Sequence, residues 1–188
     1  MLFRSKLVLV HDFLETRCKL FGKKGSCSFA EFMSDKMRGG YQQLSLDMLV
    51  DWFTEHDDCF LVTDSKDVDV VELCCYILNR APILKERLIV QIFSFAEYQK
   101  IKNLGISKII FATYKTSANN SEIINFLKKN PCYAVSMSLA RAEEGFALEI
   151  KDKIDVWILA FTLNKFDLVT HYKKLGVDGF FTDKILPS

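Results

Sequence analysis

The stretch Ile154–Ser188, IDVWILAFTLNKFDLVTHYKKLGVDGFFTDKILPS, decides the fold class. It reads as a strand from Val156 to Phe161, a helix capped by Asn164 and closed at Gly176, and a second strand from Val177 to Thr182. The first strand is a nearly unbroken apolar run, as expected of a parallel strand buried on both faces. A helical crossover of roughly a dozen residues separates the strands, which is the length that parallel pairing demands. Phe166, Val169, Tyr172 and Leu175 fall on its predicted buried face at spacings of three, with Lys165, Lys173 and Lys174 opposite.

The same local design recurs from Leu88 to Tyr114: a strand, a Ser94–Glu97 capping box, a stripe of Tyr98, Ile101 and Leu104, closure at Gly105, and another strand. Further strands are expected at Leu7–Val10, Cys59–Thr63, Lys108–Thr113 and Tyr133–Met137, separated by helical patterns. Alternation of this kind predicts a parallel sheet, in either a doubly wound open sheet or part of a (β/α) barrel. The strands leave the sheet on polar residues: His11-Asp12, Asp64 and Lys66, Gln91, Thr113, Thr162 and Asn164, and Thr182-Asp183. That rim favours loops gathered around one site. No Gly-x-Gly-x-x-Gly or Walker sequence follows any strand, which weakens a nucleotide-binding open sheet.

Composition bounds the rest. With 188 residues, 49% of them hydrophobic and 13% aromatic, the chain is expected to form a single domain over residues 1–188. Its net charge of +1, with acids and bases interspersed, gives no broad electrostatic case for nucleic acid or an anionic membrane. The six cysteines show no Cys-x-x-Cys spacing and read as free thiols of a reducing, cytoplasmic protein. No secretory signal is visible, and no apolar run approaches the ~18 residues of a membrane span.

In the first third, a helix from Ser28 to Met37 with a Ser28–Glu31 capping box is followed by an amphipathic helix from Ser45 to His56. The second carries Asp47, Asp51 and Glu55 in a row, which reads as a solvated face rather than a metal site. Two sets of residues carry chemistry. His11 ends a buried strand beside an acid, where an imidazole acts as general acid or base near neutral pH, or pairs with Asp12 in a turn. Asp64 and Lys66 lie on one side of an extended segment, where a carboxylate suits a hard cation and an ammonium suits a phosphate oxygen; the plain alternative is a surface ion pair.

Four pieces of the chain, in order, resemble the glycerophosphodiester phosphodiesterase family, whose members are (β/α) barrels of the kind seen in phosphatidylinositol-specific phospholipases C. They are Leu-Val-His-Asp ending at Asp12, Asp64-Ser-Lys66 in place of Glu-x-Lys, Phe161-Thr-Leu-Asn164 in place of Trp-Thr-Val-Asn, and Gly176-Val-Asp-Gly-Phe-Phe-Thr-Asp183. The resemblance implies metal-dependent hydrolysis of small phosphodiesters, in the usual case glycerophosphodiesters, to glycerol phosphate and an alcohol. It implies His11 as the second catalytic histidine, Asp64 as a metal-binding acid for calcium or magnesium, and Lys66 as a phosphate contact. Gln91, at the rim, is a further expected substrate contact.

The family's first two strands, ending in His-Arg-Gly and Glu-x-Asp, have no counterpart before Leu7. The expectation is therefore a TIM-type barrel incomplete at its N-terminus, with cation binding weak or absent and activity impaired. The alternative is an inactive barrel remnant that binds a phosphorylated ligand or associates with other chains. A complete barrel takes about 250 residues. The Leu7 and Val177 strands are expected to be open edges, able to pair with a second copy or a complementing segment.

Overall fold

The computed structural model describes residues 6–65 and 68–185. Six strands, β1 (Leu61–Val62), β2 (Leu88–Ile92), β3 (Ile109–Ala112), β4 (Ala134–Ser138), β5 (Trp157–Phe161) and β6 (Gly179–Phe180), form one sheet. Every neighbouring pair is parallel, and the spatial order is the sequence order, β1 to β6. A doubly wound sheet reverses its order at a switch point, and this one does not. The fold is a partial α/β barrel.

Period-two alternation sorts the strand residues onto two faces. Leu88, Val90, Ile109, Phe111, Val135 and Ile158 join the main core, which also contains helix residues such as Phe53, Ile77, Ile101 and Leu127. On the opposite face Ile89, Ile110 and Ala134 form a separate cluster with Leu159 and Phe181. Farther along that second face the strands turn polar, at Gln91 and Ser136, both buried. The site described below is built on this polar end.

The helices follow their capping signals. Ser45 caps α3 (Leu46–Glu55), its hydroxyl accepting from the Met48 N–H at 3.2 Å, and Asp69 caps α4 (Val70–Arg80). Glu97 closes the box of α5 (Phe95–Asn103) by accepting from the Phe93 and Ser94 N–H groups at 2.7 and 2.9 Å. Asn119 and Glu122 form the corresponding box of α6 (Asn120–Lys129). Phe95, Phe111 and Phe126 then pack ring against ring with centroids 4.3 to 5.4 Å apart, locking α5 and α6 onto β3. Burying the Phe111 ring, fully enclosed, contributes about 1.5–3 kcal/mol. Two short helices, α7 (Leu139–Glu143) and α8 (Phe146–Lys151), meet at Gly145, whose φ of 86° disfavours a side chain.

Several expectations need correction. Leu7–Val10 is not a strand of the sheet: Val8 makes one antiparallel bridge to Ser45, with Leu9 N–H donating to Leu44 and Leu46 N–H donating to Leu7, both at 2.9 Å. The backbone at the start of α3 captures the segment, so β1, not the Leu7 strand, is the sheet edge on that side. After it come two unforeseen turns of helix, α1 (Phe13–Thr16) and a π-helical turn over Arg17–Phe21, before α2 (Phe29–Ser34). Asn164 does not cap the last helix. A 3-10 turn (Phe166–Leu168) leads into α9 (Val169–Lys174), and Phe166 is 73% exposed rather than buried. Asp51 and Glu55 are exposed as expected, whereas Asp47 is half-buried; Asp51 accepts from Arg80 Nη2 at 2.6 Å and Asp47 from the Tyr76 hydroxyl, tying α3 to α4. All six cysteines are free. Among the described residues no helix is long and apolar enough to cross a membrane.

Candidate functional site

A chain of hydrogen bonds runs across the strand ends. Thr63 follows β1, and its hydroxyl accepts from the Gln91 main-chain N–H at 3.1 Å. The Gln91 side-chain amide donates to Asp64 Oδ1 at 3.0 Å, while its carbonyl oxygen accepts from the Ser136 hydroxyl at 3.3 Å. These two bonds fix the orientation of the amide. The Tyr114 hydroxyl donates to the same Asp64 oxygen at 3.3 Å. Asp64 is thus held by an amide and a phenol that reach it from two neighbouring strands.

Burial, and then the nearby Asp64 charge and hydrogen bond, push the Tyr114 phenol up to about 12, so at neutral pH it is a proton donor only. Its ring lies edge-on between Phe93 and Phe161, at 5.4 and 5.5 Å. Arg141 closes the far side: its guanidinium donates to the Thr113 carbonyl at 3.0 Å and to Asn120 at 2.8 Å, and lies 4.5 Å from the Phe146 ring centroid. At the last strand Asn164 Oδ1 accepts from the Asp183 N–H at 2.9 Å and from the Thr182 hydroxyl at 3.2 Å. Asn164 fastens the exit of β6 to that of β5.

His11 reaches the site from the N-terminal segment. It is exposed and lines a cavity of about 720 Å³ together with Thr63, Asp64 and Ser65. Asp12 is engaged elsewhere, capping α1 by accepting from the Glu15 N–H at 2.7 Å. Of the four residues expected from sequence, His11 and Asp64 share this cavity, and Gln91 lies behind Asp64 with both ends of its amide bonded to protein groups. Lys66 lies outside the described residues. Tyr114, Ser136 and Arg141 were not foreseen. The first two were within reach, since Ser136 shares a strand face with Ala134 and Tyr114 directly follows the rim residue Thr113.

The implied divalent cation can be tested against these donors. Calcium takes six to eight oxygen ligands and magnesium six. Among the described residues no three His, Cys, Asp or Glu side chains gather to hold a metal ion. Asp64 supplies one carboxylate, and its Oδ1 already accepts two hydrogen bonds. The described donors do not make up a cation site.

No protein-family model and no curated protein matches the sequence. Solved structures do match. A glycerophosphodiester phosphodiesterase from Parabacteroides distasonis aligns with a TM-score of 0.69 at 17% identity, over 96% of this chain and 75% of that one. A protein from Agrobacterium tumefaciens designated glycerophosphoryl diester phosphodiesterase aligns with a TM-score of 0.71 at 15% identity, over 96% and 77%. A protein of the same designation from Silicibacter pomeroyi gives 0.59 at 15% identity, over 82% of this chain and 58% of that one. The partial barrel of this chain has the fold of the glycerophosphodiester phosphodiesterases.

Proposed function

We propose that this chain is a phosphodiesterase-like hydrolase acting on glycerophosphodiesters. The observation that carries the reading is the shared cavity of His11 and Asp64 at the strand-exit rim, in a fold matched by solved glycerophosphodiester phosphodiesterases. Hydrolysis forms one P–O bond to water, breaks one P–O ester bond, and sends the proton lost by water to the departing alkoxide. His11 is the group that carries this proton. Asp64 is held in place by Gln91 and Tyr114 and orients the incoming water or the diester, with Lys66 as the phosphate contact. Gln91 acts on substrate through Asp64.

Hydrolysis of glycerophosphocholine by the 188-residue chain, with calcium, with magnesium and with chelator, tests the reading. The expected result is release of choline that falls at least ~100-fold in His11→Ala, the usual scale of a lost acid–base group. Turnover unchanged in that variant, or none above the buffer rate under any of the three conditions, overturns it. The open edges of β1 and β6 also support pairing with a second copy or a complementing segment. Sedimentation showing only monomer at tens of micromolar chain removes the second-copy form of that idea.

A further inference from the structure

The cavity that holds His11 and Asp64 is larger and more apolar than a small polar diester requires. Its volume of about 720 Å³ lies between the Lys6–His11 segment and β1, and its apolar wall includes Leu7, Leu49, Leu61, Leu73 and Ile77. Four elements contribute to that wall: the segment, β1, α3 and α4. The polar lining comes from the segment, as Lys6 and His11, and from Thr63, Asp64 and Ser65 after β1. The volume falls within the ~300–1,000 Å³ of small-molecule sites, and so does the pattern of an apolar wall with a few convergent polar groups. Ordered water needs two to four polar partners, which the leucine-lined part does not provide.

We propose that this cavity binds a single aliphatic chain, and that the preferred substrate is a phosphodiester carrying one acyl or alkyl chain rather than a fully deacylated one. The substrate half of this proposal rests on the phosphodiesterase reading; the binding half does not. The phosphodiester lies against His11 as a hydrogen-bond partner, and the chain extends over Leu49, Leu61 and Leu73. The chain also fills the gap left because the segment bridges to α3 instead of pairing with β1.

The test uses dodecylphosphocholine, itself a phosphodiester with one alkyl chain, below its micelle concentration, beside glycerophosphocholine, which has the same head and no chain. Calorimetry with the full chain is expected to give saturable one-to-one binding of dodecylphosphocholine. The affinity should be at least ~tenfold tighter than for glycerophosphocholine, the effect of about two buried methylenes. Leu73→Trp fills the cavity from α4, an element that carries neither Gln91 nor Asp64, and is expected to weaken binding at least ~tenfold. Its circular dichroism melt checks that it folds. Absence of saturable binding, or binding unchanged in Leu73→Trp, overturns the proposal. Hydrolysis of glycerophosphocholine without alkyl-chain binding sinks this inference and leaves the phosphodiesterase reading intact. Alkyl-chain binding without any turnover does the reverse for the enzyme reading and leaves the lipid cavity in place.

Discussion

The strands β2 to β5 and the segment before β1 are made of similar material and end in different states. Capping boxes start α2 in the first region and α5 and α6 in the second. Apolar runs occur in both, Leu7–Val10 in one and Leu88–Ile92 in the other. Yet β2 has a parallel partner on each side and every residue buried, whereas the Leu7 run makes a single bridge and borders a cavity. Local signals start elements, and neighbours on both sides decide whether they become core.

The strongest way to break this comparison is a matched pair of truncations. Phe111 and Phe32 are both nearly fully buried, at 0 and 2% exposure. Phe111→Ala is expected to cost about 3–5 kcal/mol in urea unfolding, because the Phe95–Phe111–Phe126 cluster cannot collapse around the gap. Phe32→Ala should cost less than ~2 kcal/mol, since its ring neighbours Phe13 and Phe21 sit on short helices free to shift. Equal costs would mean that the two regions unfold as one body.

Thiol reactivity sharpens the same contrast. Burial pushes the Cys74 and Cys132 thiols up to about 12, whereas Cys18 is exposed on the π-helical turn. An aromatic disulfide reagent at pH 8 should therefore modify Cys18 at least ~100-fold faster than Cys74. Mass mapping of the labelled sites at early times checks the order. Amide exchange offers a gentler test. The Leu9 and Leu46 N–H groups, bonded across the single bridge, should exchange about tenfold or more faster than those of β3.

The smallest effect belongs to Tyr114. Its folded pKa of about 12 lies above the unfolded value of ~10. Between those values the folded chain holds a proton that the unfolded chain has released, so stability declines as pH rises from 10 to 12. Burial is the largest cause and Asp64 the next, so Asp64→Asn should lower the value without restoring it fully. Ultraviolet titration of the phenolate in both proteins measures the difference.

Much of the fold was readable beforehand because βα units are local. The strands at Leu88, Lys108 and Tyr133 and the helices at Ser45 and Ser94 all formed, with ends shifted by a residue or two. The C-terminal pair was readable in order and type but not in extent: β6 keeps only Gly179–Phe180 because a single neighbour, β5, supports it. Phe166 shows the limit of periodicity, which placed it on the buried face while the 3-10 turn rotated it outward. In the site, Asp64 and Gln91 were visible as polar ends of apolar strands. Their hydrogen bond spans residues 27 apart in the chain, which no local pattern encodes.

By itself, the sequence determined the alternation of strand and helix, the caps, and the polar rim, since each depends on residues within a few positions of one another. Tertiary structure alone decided that the order runs β1 to β6 without reversal, that His11 faces the same cavity as Asp64, and that Tyr114 and Gln91 share one carboxylate oxygen. It also decided the fate of Leu7–Val10. An apolar extended segment satisfies its backbone against a free partner, and here that partner is the start of α3 rather than β1.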